Sequence, residues 1–187
     1  MAKLRVIAGE AKGRKLRMVP GGGTRPISDR AKESLFNIIG TDIRGSRWLD
    51  LFAGTGSVGI EALSRGADWT LFIDTSRRAV ETVQSNLTLT RLDQRAKIQR
   101  IDAFKLLERG PQESFDYIYI APPQYAQLWI KAVKLIDEMS EWLNRDGWVI
   151  AQMHPKEYEI LSIRELFEFD QRRYGKTLLV FYKHLEG

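Results

Sequence analysis

Residues 48–59, Trp-Leu-Asp-Leu-Phe-Ala-Gly-Thr-Gly-Ser-Val-Gly, constrain this chain more than any other stretch. An apolar run reaches an acid, Asp50, turns through glycines and continues into Ile60-Glu61-Ala62-Leu63. That order reads as a buried strand, a tight loop and the first turns of a helix. Glycine lets the loop backbone approach a ligand where a side chain would block it. The spacing Gly54-x-Gly56-x-x-Gly59 is shared with dinucleotide-binding loops. Asp50 argues against a pyrophosphate there. An anion at the strand's carboxyl end repels phosphate and suits a nucleoside that carries a cation.

Around this motif the chain alternates. Strand candidates at 47–52, 69–74, 97–101, 115–120 and 147–153 are interleaved with helix candidates near 57–65, 76–90, 103–109 and 126–143. Such β/α alternation predicts a mostly parallel sheet covered on both faces. After Pro155 the pattern changes: 167–169 and 178–182 flank Tyr174-Gly175-Lys176, an antiparallel hairpin. At the other end, 4–8 and 14–18 flank Gly9 to Gly13 and predict a β-hairpin, followed by a hinge at Pro20-Gly21-Gly22-Gly23. Ser28 then caps a helix whose Ala31, Leu35, Ile38 and Ile39 share a face, and Gly40 ends it. The expected organisation is a basic arm over 1–23 and a catalytic domain over 24–187. By fold analogy, the class is α/β: a Rossmann-like, seven-stranded class I methyltransferase sheet with an N-terminal β-hairpin extension.

At 187 residues one domain with a substantial core is the simplest expectation. No apolar run approaches the roughly 18 residues of a membrane span, and the N-terminus lacks a secretory core, so a cytoplasmic protein is expected. Cysteine is absent, which excludes disulfides and catalysis through a thiolate adduct. His154 and His184 lie far apart without ligand spacing, so no metal is expected. The charge is uneven. Residues 1–32 hold nine Lys and Arg against two acids, while the whole chain nets +5, so the remainder is slightly acidic. A concentrated basic segment is the electrostatic footprint of a phosphate-backbone partner. Arg5, Lys12, Arg14, Lys15, Arg17, Arg30 and Lys32 are the candidate RNA contacts.

Ligands of open α/β sheets bind beyond the carboxyl ends of the strands, which makes those ends the candidate site. The first offers Asp50, Phe52, Ala53, Gly54, Thr55 and Gly56. The second offers Asp74, twenty residues after Gly54, a spacing suited to a carboxylate accepting from ribose hydroxyls. The third offers Asp102 and Ala103, with Asp102 either accepting from an adenine amine or simply capping a helix. The fourth runs into Ala121-Pro122-Pro123-Gln124-Tyr125, a rigid, donor-poor loop followed by an aromatic face. Nicotinamide chemistry has no evident use for that loop; methylation of a base does. Phe52, Tyr119 and Tyr125 are candidates for an apolar pocket, with the core the better expectation for Phe52.

Three blocks now carry a resemblance. Gly13-Arg14-Lys15-Leu16, residues 24–37 beginning Thr24-Arg25-Pro26-Ile27, and Asp50 to Gly56 resemble the bacterial 16S rRNA guanine-N2 methyltransferases of the RsmD type, along nearly the whole chain. The resemblance implies S-adenosyl-L-methionine as donor. It implies guanine N2 of 16S rRNA, at the family site guanine-966, as acceptor within a small-subunit particle during ribosome assembly. It also implies that Arg25 and Pro26 fold over the cofactor, and that Ala121, Pro122, Pro123 and Tyr125 occupy the catalytic position. One departure stands out. Ala121 replaces the acid of the family's Asp-Pro-Pro motif, and Gln124 separates the prolines from Tyr125. Two other readings stay open: N6-adenine methylation of nucleic acid, and a catalytically silent RNA-binding assembly factor on the same fold.

Overall fold

The computed structural model describes residues 4–21 and 26–185. In chain order the elements are α1 (Asp29–Ile39), β1 (Arg47–Asp50), α2 (Ser57–Ser64), β2 (Trp69–Asp74), α3 (Arg77–Thr90), β3 (Ala96–Arg100), α4 (Ala103–Glu108), β4 (Phe115–Ile120), α5 (Leu128–Glu138), β5 (Leu143–Met153), β6 (Leu166–Tyr174) and β7 (Thr177–His184). One seven-stranded sheet runs β3-β2-β1-β4-β5-β7-β6, and only its β5–β7 and β7–β6 pairs are antiparallel. The chain reverses direction across the sheet at β1/β4, where a parallel α/β fold opens a crevice for ligands.

The strands form because they are apolar on both faces. In β2, Phe72 packs toward α2 and α3, while Leu71 and Ile73 join the opposite core with α4 and α5. Trp48, Tyr117 and Tyr119 belong to a third cluster under α1, with Trp48 and Phe36 stacked at 5.5 Å. Ser28 caps α1 through Ala31 N–H, and Gly40 closes it at φ 64°, as the spacing predicts. Helix α2 lies close to the sheet because Gly59 has no side chain: a Cβ there would stand 2.4 Å from Phe72.

The N-terminal hairpin is short: one antiparallel bridge, Arg5 to Lys15, with flanking backbone hydrogen bonds. It is packed on the domain. Val6, Ala11 and Leu16 are buried against Ile60, Leu63, Val83 and Leu87. Its backbone is held by side chains of α2 and α3: Ile7 and Ala8 donate to Glu61, Ala11 donates to Ser64, and Arg17 donates to Asn86. The helix expected over 126–143 ends at Glu138, and β5 begins at Leu143 after a 3-10 turn.

Candidate active site

The carboxyl ends of β1, β2, β4 and the start of α4 surround a cleft of about 850 Å³. Among the sequence-predicted residues, Pro26, Asp50, Phe52, Ala53, Gly54, Thr55, Asp74, Asp102, Ala103, Ala121, Pro122 and Pro123 line it. Arg25 lies outside the described residues. Gly56 does not line the cleft. It supplies the left-handed turn, φ 75°, that starts α2, and it packs toward Val83.

Asp50 is the electrostatic centre. The residue is 1% exposed and its Oδ1 has no hydrogen-bond partner. Burial above all, with the charge of Asp74, raises its pKa to about 7 against the downward pull of the Gly59 and Phe52 N–H groups. A buried carboxylate with an orphan oxygen is costly unless a cation or donor arrives. The cleft therefore fits a positively charged ligand.

Asp74 plays a different part. Its Oδ2 accepts from Gly54 N–H at 2.9 Å and its Oδ1 from Ser76 N–H at 2.8 Å. Each oxygen keeps a lone pair, so the carboxylate shapes the glycine loop and still presents acceptors for a diol. Asp102 does cap a helix: Oδ1 takes the N–H groups of Phe104 and Lys105 at 2.9 and 3.0 Å. Its other oxygen remains an acceptor on the cleft wall. Phe52 serves both the core and the cleft, meeting Phe104 edge-on at 6.0 Å.

Other positions depart from expectation. Tyr125 does not reach the cleft. It is 69% exposed at φ 65°, its N–H donates to Glu157, and its ring lies 5.6 Å from His154. The inserted Gln124 takes the lining position and carries the ring past the rim. Lys32 is no RNA contact. It is fully buried, donates to the Arg5 carbonyl at 2.8 Å and faces Glu61 at 3.5 Å. Arg5, Lys12, Arg14, Lys15, Arg17 and Arg30 remain exposed. Arg5 pairs with Asp29, and Arg14 donates to the Leu89 carbonyl.

Sequence reasoning missed Gln152, which lines the cleft from β5 and accepts from the Tyr119 hydroxyl. The strand-end rule applied to β1 through β4 would have found it on β5. Ser57, Thr75 and Arg78 also line the cleft, at helix starts beside the glycine loop and after β2. Among the described residues, no group of three or more His, Asp or Glu is arranged to hold a metal ion, and no helix is long and apolar enough to cross a membrane.

Comparison with known proteins agrees with this geometry. Residues 4–183 match the model of the family described as Conserved hypothetical protein 95. The chain is 40% identical over 183 residues to a candidate rRNA methyltransferase, YlbH, of Bacillus subtilis, covering 96% of this chain and 98% of the relative. It is 34% identical over 152 residues to ribosomal RNA small subunit methyltransferase D of Haemophilus influenzae, covering 80% of this chain and 78% of that one. The crystal structure of a candidate methylase from Haemophilus influenzae superposes with a TM-score of 0.83 at 27% identity, over 99% of this chain and all of that one. A match along nearly the whole length, on a seven-stranded sheet with its cleft at the β1/β4 crevice, places this chain in the RsmD-type family, a branch of the class I methyltransferase fold.

Proposed function

We propose that this protein transfers a methyl group from S-adenosyl-L-methionine to the exocyclic N2 of a guanine in 16S rRNA, guanine-966 by family analogy, during small-subunit assembly in the cytoplasm. The observation that carries the reading is Asp50. It is a buried acid with one orphan oxygen, at the head of a cleft otherwise walled by glycine-loop backbone, Asp74 and a proline loop. The donor supplies, when bound, an electrophilic methyl on a cationic sulfur.

The chain's own residues divide the remaining work. Asp50 offers its charge to the donor's cationic portion. Asp74 accepts from ribose hydroxyls, Asp102 accepts from the adenine amine, and Phe104 and Ile101 give the ring an apolar wall. Ala121, Pro122 and Pro123 form the stiff lip over which an everted base would be held. The residues align two reactants rather than activate either strongly, and alignment alone removes much of the entropic barrier. Charge is dispersed as the methyl moves, so a cleft with few water-binding groups on this lip favours the transition state. The exposed cations of residues 5–30 would hold the RNA by its phosphates, giving affinity more than sequence choice.

The direct test is methyl incorporation from labelled donor into free 16S rRNA and partly assembled small subunits, followed by nucleoside mapping. The expected product is N2-methylguanosine at one position. Label in N6-methyladenosine would favour the adenine alternative. Donor binding without incorporation would favour a silent assembly factor, a reading that Ala121 and the outward Tyr125 support.

A further inference from the structure

The amine of guanine is a poor nucleophile because its lone pair is delocalised into the ring, and an oxygen accepting one of its hydrogens makes it better. No side chain on the Ala121-Pro122-Pro123 lip carries such an oxygen. Asp102 cannot serve, since β3 and β4 are separated by two strands and therefore by about 14 Å. The neighbouring strand does carry one. β4 and β5 pair Tyr119 with Ile150 and Ile120 with Ala151, so one further step along the same register sets Gln152 beside Ala121, about 4.8 Å away. Alternation along parallel strands puts Tyr119, Ala121, Ile150 and Gln152 on one face, and Tyr119, Ala121 and Gln152 all line the cleft.

We infer that Gln152 is the catalytic hydrogen-bond acceptor for the target amine, supplying from β5 the oxygen that the Ala121 position on β4 lacks. The inference rests on the methyltransferase activity proposed above. An amide oxygen has two lone pairs. One of those on Gln152 Oε1 takes the Tyr119 hydroxyl, which leaves the other for a donor in the cleft that Gln152 lines. Tyr119 is a positioning residue. Burial holds its hydroxyl far above the ordinary tyrosine range, so it stays protonated and keeps donating. In the step itself the N2 lone pair forms the new nitrogen–carbon bond as the methyl–sulfur bond breaks, and that pair stays on sulfur. The attacked nitrogen then carries the surplus proton. A neutral amide orients and polarises the N–H without keeping its proton, which passes to water.

The test compares wild type, Q152L and Q152E in single-turnover methyl transfer at saturating donor, with donor affinity measured separately by calorimetry. Q152L should lose about 100-fold in rate while its donor affinity stays within about twofold of wild type. Q152E replaces a neutral acceptor by a titratable one, so its rate should gain a sigmoidal rise with pH that wild type lacks. A Q152L rate within about threefold of wild type overturns the inference. A Q152E rate with the wild-type pH profile overturns it independently, whatever the fate of Q152L. Failure of the wild-type protein to methylate any guanine amine is a separate outcome, and it overturns the underlying activity.

Discussion

Two buried acids, Asp50 and Glu61, divide binding from architecture. Glu61 is fully buried yet saturated: its oxygens accept from Ile7, Ala8 and Arg65 at 2.9, 3.0 and 2.8 Å, and Lys32 stands 3.5 Å away. Burial lowers the pKa of Lys32, and the charge of Glu61 raises it again. Removing the acid would strand a buried ammonium and two backbone donors at once, and breaking such a pair costs about 3–5 kcal/mol. Glu61→Ala should therefore lower the unfolding free energy by that amount, read in urea as a lower midpoint at an unchanged slope, and the exchange of Ile7 and Ala8 amides should accelerate. Asp50 differs: the N–H groups of Gly59 and Phe52 support its charge, but its buried Oδ1 accepts no hydrogen bond.

At the scale of elements, the legible parts were those governed by local chemistry. The parallel strands announced themselves because burial on both faces demands continuous apolar residues, as in Leu71-Phe72-Ile73 and Tyr117 to Ile120. A cap such as Ser28 accepts from a backbone N–H three residues on, so it too is readable. The N-terminal segment was not. Its hydrogen-bond partners, Glu61, Ser64 and Asn86, lie more than fifty residues away, and nothing local tells a hairpin ladder from a strap held by side chains. Lys32 shows the same limit. Helical spacing placed it correctly on α1, but only the packing of α2 reveals that its charge is turned inward. Buried Asp137 was equally silent in sequence; it gathers the N–H groups of Arg164, Glu165 and Leu166 and fixes the entry to β6.

On the scale of the whole molecule, the charge asymmetry and the cleft belong to one design. The strap carries exposed Lys12, Arg14, Lys15 and Arg17 across α2 and α3, the helices that follow the two acidic strand ends. On the proposed function, this cationic surface would hold an RNA backbone while one base enters the cleft. If Arg14, Lys15 and Arg17 each neutralise a phosphate, their replacement by Ala should reduce the slope of log affinity against log salt by about 2 to 3. Filter-binding titrations at several salt concentrations measure this, and an unchanged slope would remove the strap from the RNA interface.

On the proposed function, Asp50 receives the cationic part of a sulfonium nucleoside. Its pKa of about 7 lies above the ordinary 3.8, so near neutrality the acid still holds a proton for part of the time. A cation favours the ionised form, and binding must expel that proton. Below about pH 7 donor affinity should rise with pH, by at most tenfold per unit, and it should level off above. Calorimetric titration of S-adenosyl-L-methionine into wild type and Asp50→Asn, across about pH 5 to 9, tests this directly. The account predicts the rising and levelling curve for wild type, and a flat one at least about tenfold weaker for Asp50→Asn. Equal affinities and identical pH profiles for the two proteins would contradict it.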